Sequence, residues 1–194
     1  MNNRKRKEDE KYQINILQDL FGHITYLPSI GKAKKYLIGG KIYTQKQLKK
    51  ECYNLQNLEH INVIDKIQDL DCYSEDNGWH FPITLKYQKI DGGAQNLAVE
   101  NIIQIMKQAV KIDSIDKTCL IVYIGGSFYT KLRQDFRNAS LFNIFNKKFN
   151  IYDYLSIIQK ELNIKCKILC DNNLHKNKTS LYNYCIEGIY ENVN

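Results

Sequence analysis

The stretch "PITLKYQKIDGGAQN", Pro82 to Asn96, changes its periodicity at the paired glycines. Before them, within Trp79–Ile90, Phe81, Ile83, Leu85 and Tyr87 fall on one side. His80, Pro82, Thr84, Lys86 and Gln88 fall on the other, the period-two pattern of a strand. After them, Ala94, Ala98, Ile102, Ile105, Ala109 and Ile112 recur at helical spacing and predict a long helix with one buried face. A strand that feeds such a helix is the seed of an α/β layer arrangement.

Working outward, "INVIDKI" within His60–Leu70 is alternating and β-branched, and predicts a first hairpin strand. Its far end dissolves into the acidic turn "DLDCYSEDNG" before the Trp79–Ile90 strand. On the other side, "TCLIVYIGG" is a continuous apolar run of the kind that forms a fully buried central strand ending at glycines. "NIYDYLSIIQKEL" reads as an amphipathic helix and "IKCKILCDN" as another strand. Near the start, Tyr12, Ile14, Ile16, Leu17, Leu20 and Phe21 fit a helix over Lys11–Phe21 that ends near Gly22. Thr44 is a plausible cap for a basic helix, Gln45–Leu55, with Lys46, Lys49 and Lys50 on its surface. The order helix, strand, strand, helix, strand, helix, strand predicts an α/β domain: a mixed sheet flanked by helices.

Composition narrows the partners. A chain of 194 residues is expected to form one domain, here 11–194, after a loose basic tail, 1–10. Its 14 Tyr and 7 Phe exclude a disordered chain. The formal charge of +7, from 28 Lys+Arg against 21 Asp+Glu, suits a polyanionic partner. It equally suits a merely Lys-rich composition from an AT-rich genome. Six cysteines without CxxC pairing, and no secretory signal, point to reduced thiols inside a cell. Cys166, Cys170 and His175 lack a fourth metal ligand, so the two cysteines read as core residues. No apolar run reaches membrane-spanning length, so no membrane partner is expected. Arg4 to Lys7 resembles a short nuclear import signal, which makes the nucleus the expected location.

The hairpin feeding a long helix resembles the core of the PD-(D/E)xK nucleases, the restriction-endonuclease fold, and is closest to the EcoRI-like members. Their catalytic strand carries E-x-K-x-Q. The matching stretch is Thr84-Leu85-Lys86-Tyr87-Gln88, followed by a glycine loop, an Ala-rich helix and the G-S-x-aromatic turn of "YIGGSFYT". The likeness runs from Ile61 to Thr130. It implies two carboxylates holding Mg²⁺, and a lysine that helps polarise the attacking water or stabilise phosphorane charge. Asp65 can stand for the first carboxylate, with Asp69 and Asp71 less well placed, and Lys86 matches the lysine. Thr84 replaces the second acid with a neutral hydroxyl, which leaves the metal one charge short.

The resemblance therefore implies a nuclease fold that does not cut and needs no metal. Lys86, Gln88 and Lys89, the amides of Gly92 and Gly93, and Lys131, Arg133 and Arg137 would then meet DNA phosphates. The alternative is an active Mg²⁺-dependent endonuclease using Asp65, Lys86 and a relocated acid, Glu100, the only carboxylate on the first two turns after "GGAQ". A third reading is a protein-only scaffold. The Asn/Lys/Ile-rich composition also resembles ciliate proteins, in particular small accessory subunits of DNA N6-adenine methyltransferase complexes. No S-adenosylmethionine loop or DPPW tetrapeptide occurs, so methyl transfer would belong to a methyltransferase partner. Phe142, Phe145, Phe149, Tyr152, Tyr154, Tyr182, Tyr184 and Tyr190 crowd the C-terminal third, and part of this set is expected to line a heteromeric protein interface.

Overall fold

A computed structural model of the chain describes residues 3–26, 35–38, 41–44, 70–89, 95–113, 117–131, 150–162, 166–171, 174 and 180–187. In chain order the elements are α1 (Asn3–Phe21), β1 (Thr25–Tyr26), β2 (Lys35–Ile38), β3 (Lys41–Thr44), β4 (Cys72–Asp76) and β5 (Trp79–Tyr87). They continue with α2 (Gln95–Asp113), β6 (Leu120–Gly125), α3 (Ser127–Thr130), α4 (Ile151–Leu162), β7 (Cys166–Cys170) and a π-helical turn at Asn183–Glu187.

The main sheet has five strands in the order β1-β4-β5-β6-β7. The pairs β1/β4 and β4/β5 are antiparallel, while β5/β6 and β6/β7 are parallel, so the sheet is mixed. Parallel neighbours need crossovers, and the helical periods after β5 and β6 supply them. On one face lies a core of Val99, Ile102 and Met106 from α2, Leu155 from α4, and Leu120, Val122 and Ile124 from β6. The opposite face packs Leu17 of α1 and Leu181 and Ile186 near the C-terminus against Phe81, Ile83, Ile121 and Tyr123. Covered on both faces, β6 is buried at all six positions, which is why its sequence runs apolar without alternation. The class is α/β, as the order of periodicities predicts.

Two local readings are corrected. The hairpin partner of β5 is β4, within the stretch expected as an acidic turn; residues 61–69 lie outside the described set. Asp76 pairs with Trp79 across Asn77 and Gly78, whose φ values of 50° and 72° make a two-residue turn with both central positions left-handed. Asn-Gly takes that conformation at low steric cost, and its twist matches the flanking strands. Thr44 ends strand β3, which pairs with β2, while the helix expected over 45–55 lies outside the described residues. Helix α1 starts at Asn3, well before Lys11, and ends where expected: Gly22, at φ 83°, donates its N–H to the Gln18 carbonyl at 2.9 Å.

Candidate nucleic-acid interface

The strand matching the nuclease motif is enclosed rather than open along its middle. Phe81 to Leu85 are all buried, so the face expected to be polar is itself covered at Thr84, which is 0% exposed. Its Oγ1 has no hydrogen-bond partner among the described residues. Asp71 flanks it. The Asp71 N–H donates to the Ile83 carbonyl at 2.9 Å, and its Oδ2 accepts the Leu85 N–H at 2.7 Å. Of the three acids weighed for the first carboxylate, Asp65 and Asp69 lie outside the described residues. Asp71 sits beside Thr84, and one of its oxygens serves the backbone.

Beyond Thr84 the strand opens toward the C-terminal rim of the parallel strands, where open α/β sheets bind ligands. Helix α1 runs antiparallel to β5 across this rim. Gln13, fully buried, donates from Nε2 to the carbonyls of Lys86 and Tyr123 at 3.3 and 3.4 Å, long contacts that tie the helix to two strand ends. One residue earlier, Tyr12 meets the Tyr87 ring edge-on at 6.2 Å. A further turn out, Asp9 pairs with Lys89 at 3.9 Å, and the Lys89 ammonium stands 5.4 Å from the centre of the Tyr87 ring.

A polar latch closes β6 and β7. Tyr123 donates its O–H to Asp171 Oδ1 at 2.6 Å, and Gly126 donates its N–H to Oδ2 at 3.1 Å. Burial, reinforced by this hydrogen bond, pushes the Tyr123 phenol far above its ordinary value. The "GGS" turn then clamps the exit of β5. Phe128 N–H donates to the Gln88 carbonyl at 3.1 Å, and Ser127 Oγ to the Lys89 carbonyl at 2.6 Å. Gly126, at φ 94°, approaches the Gln88 carbonyl so closely that a Cβ would collide with it.

The residues expected to meet DNA are only partly brought together. Lys86 and Gln88 are half-buried and Lys89 is exposed at the β5 exit, but Lys89 turns to the α1 face, with Tyr87 and Asp9. Lys86 alternates to the other face, with Thr84. Lys131, exposed, follows α3 by one turn from Ser127, about 6 Å along the helix axis. Glu100 is exposed on α2, off the face formed by Val99, Ile102 and Met106. Gly92, Gly93, Arg133 and Arg137 lie outside the described residues. Among the described residues no three His, Cys, Asp or Glu side chains gather as a metal site. Cys166 and Cys170 are core residues, and burial raises the Cys166 thiol well above its ordinary value.

Two structural contributors escape the motif reading. Gln13 is a polar residue on the buried stripe that leads to Leu17, a local conflict visible in the sequence but easily taken for a solvent position. Asp171 directly follows a parallel strand, where a carboxylate can close the strand ends. No helix among the described residues is long and apolar enough to cross a membrane. Compared with known proteins, the chain matches no family model, no curated protein and no solved structure.

Proposed function

We propose that the chain is a non-catalytic, DNA-binding assembly subunit built on a degenerate restriction-endonuclease-like domain. The observation that carries this is Thr84: a fully enclosed hydroxyl where the nuclease motif has its metal-binding acid, beside an Asp71 carboxylate that already accepts a backbone N–H. A divalent cation taking oxygen ligands there would have one carboxylate beside Thr84 and would lack the second charge. Lys86 and Lys89 at the end of β5 and Lys131 after α3 suit phosphate contacts that hold DNA without selecting bases. The nuclear location and the place beside a DNA adenine methyltransferase, with methyl transfer carried by the partner, are parts of the same proposal and rest on the sequence resemblance.

Of the aromatic set expected at a protein interface, Tyr154 is buried and Tyr152, Tyr182 and Tyr184 pack at the core edge. The heteromeric partner is therefore proposed from Phe142, Phe145, Phe149 and Tyr190, which lie outside the described residues.

The test is incubation of the purified chain with duplex DNA and Mg²⁺ or Mn²⁺. The duplex is expected to stay intact. Metal-dependent cutting that Lys86→Ala abolishes would favour the endonuclease reading, with Glu100 as the relocated acid.

A further inference from the structure

We propose that the first half of α1, up to Gln13, is an autoinhibitory strap: Asp9 holds Lys89 away from phosphate, and a phosphate that takes Lys89 releases this half of the helix from the rim. This rests on the DNA-binding reading above and adds to it the regulation of that site.

The two halves of α1 are held differently. Beyond Gln13, Leu17 lies in the core, and Ile14, Ile16 and Phe21 pack against it. Before that point the described contacts are polar or edge-on. Tyr12 touches the Tyr87 ring edge-on while staying 52% exposed. Gln13 is fully enclosed, yet its Nε2 bonds are long, at 3.3 and 3.4 Å, and its Oε1 has no partner among the described residues. An amide oxygen that has given up water without gaining a donor favours release. The third contact is the ion pair of Asp9 with Lys89 at 3.9 Å, a partly exposed pair of the kind that contributes little. A helix end held in this way opens locally while the rest of the fold stays closed.

The ion pair is asymmetric, and the asymmetry couples it to a ligand. The Lys89 side chain is 55% exposed, whereas that of Asp9 is 16% exposed. A phosphate oxygen can therefore reach the Lys89 ammonium from solvent and form a charge-assisted hydrogen bond, closer than the 3.9 Å that Asp9 keeps. Lys89 is the cation that Asp9 meets among the described side chains. Once the ammonium turns to phosphate, a largely enclosed carboxylate stays behind without its counter-charge. It regains water by leaving the rim, and the helix up to Gln13 moves with it. Without a ligand the same carboxylate occupies Lys89 from within the chain, so every phosphate must compete with a tethered anion.

The experiment uses the full chain, a labelled DNA duplex, fluorescence anisotropy over a salt series, and hydrogen exchange read by mass spectrometry. Without DNA, Asp9→Asn is expected to speed exchange of the α1 amides up to Gln13 by about two- to fivefold and to leave those of Leu17 to Phe21 unchanged. Adding the duplex to the wild-type chain should speed the same amides rather than protect them. Asp9→Asn should bind the duplex about two- to fivefold more tightly. Asp19→Asn, the same charge change at an exposed position of α1, should gain less. In a Lys89→Gln background the gain from Asp9→Asn should fall to that of Asp19→Asn. Equal gains from the two substitutions in the wild-type background, unchanged exchange in Asp9→Asn, or slower exchange of the first half on adding the duplex would overturn the strap while leaving the DNA-binding reading standing. Failure of both the wild-type chain and Asp9→Asn to bind any duplex would remove both.

Discussion

Asp71 Oδ2 accepts the backbone N–H of Leu85 at 2.7 Å, on the strand residue next to Thr84. A side-chain carboxylate here does the work of a ladder carbonyl at the point where β4 begins. Removing it leaves the Leu85 amide in an enclosed strand without this acceptor. Asp71→Ala should therefore cost about 1.5–3 kcal/mol of stability, the range for hydrogen bonds to charged groups, and Asp71→Asn less, because an amide oxygen can still accept. Urea melts of the two variants check the order.

Thr84 lends itself to the opposite experiment. Its hydroxyl is fully enclosed and lacks a partner among the described residues, so it loses hydration and gains nothing in return. Thr84→Val keeps the branched shape and should be neutral or stabilise by about 1 kcal/mol. Thr84→Glu places an acid beside Asp71 in the same enclosed position and should lower the melting midpoint clearly. A Thr84→Val variant that melts well below wild type would mean that the hydroxyl has a role in the fold.

Alkaline pH should unfold the chain earlier than its surface charge suggests. Burial raises the Cys166 and Cys185 thiols well above 9.0 and pushes the Tyr184 phenol up to about 12 from 10.0. Each group holds its proton more tightly in the folded state, so the unfolded chain ionises first and stability falls as pH rises. The stabilisation from these groups is complete below about pH 9 and is lost progressively, for Tyr184 between 10.0 and about 12. Denaturant midpoints measured across that range should decline steadily. Tyr184→Phe should make the decline shallower above pH 10.0.

The sequence makes the layer architecture legible because the signals that decide it are periodic and local. Alternation along Trp79–Tyr87, helical spacing after the glycines and the apolar run of β6 each survive in the fold. The hairpin was harder to read. The charged residues of "CYSED" suggest a turn, yet Cys72 and Ser74 face inward, and Asn77-Gly78 was the stronger punctuation. The site was legible in part. Thr84 stands out as a motif mismatch, but its complete enclosure is a property of the packed sheet that no local pattern announces. That Lys89 turns toward Asp9 depends on α1, which is separated from β5 by a long span of chain. Contacts of that kind leave no periodicity behind.

The central claim, DNA held without being cut, is tested most directly by equilibrium binding of the full chain to a duplex across a salt series. With roughly three to five phosphate contacts, log K should fall with log salt at a slope of about −0.9 per contact. Association should be weak for the isolated chain and stronger within its native complex. Binding that ignores salt, or none for either the chain or its complex, would contradict the claim and favour a scaffold that meets only protein.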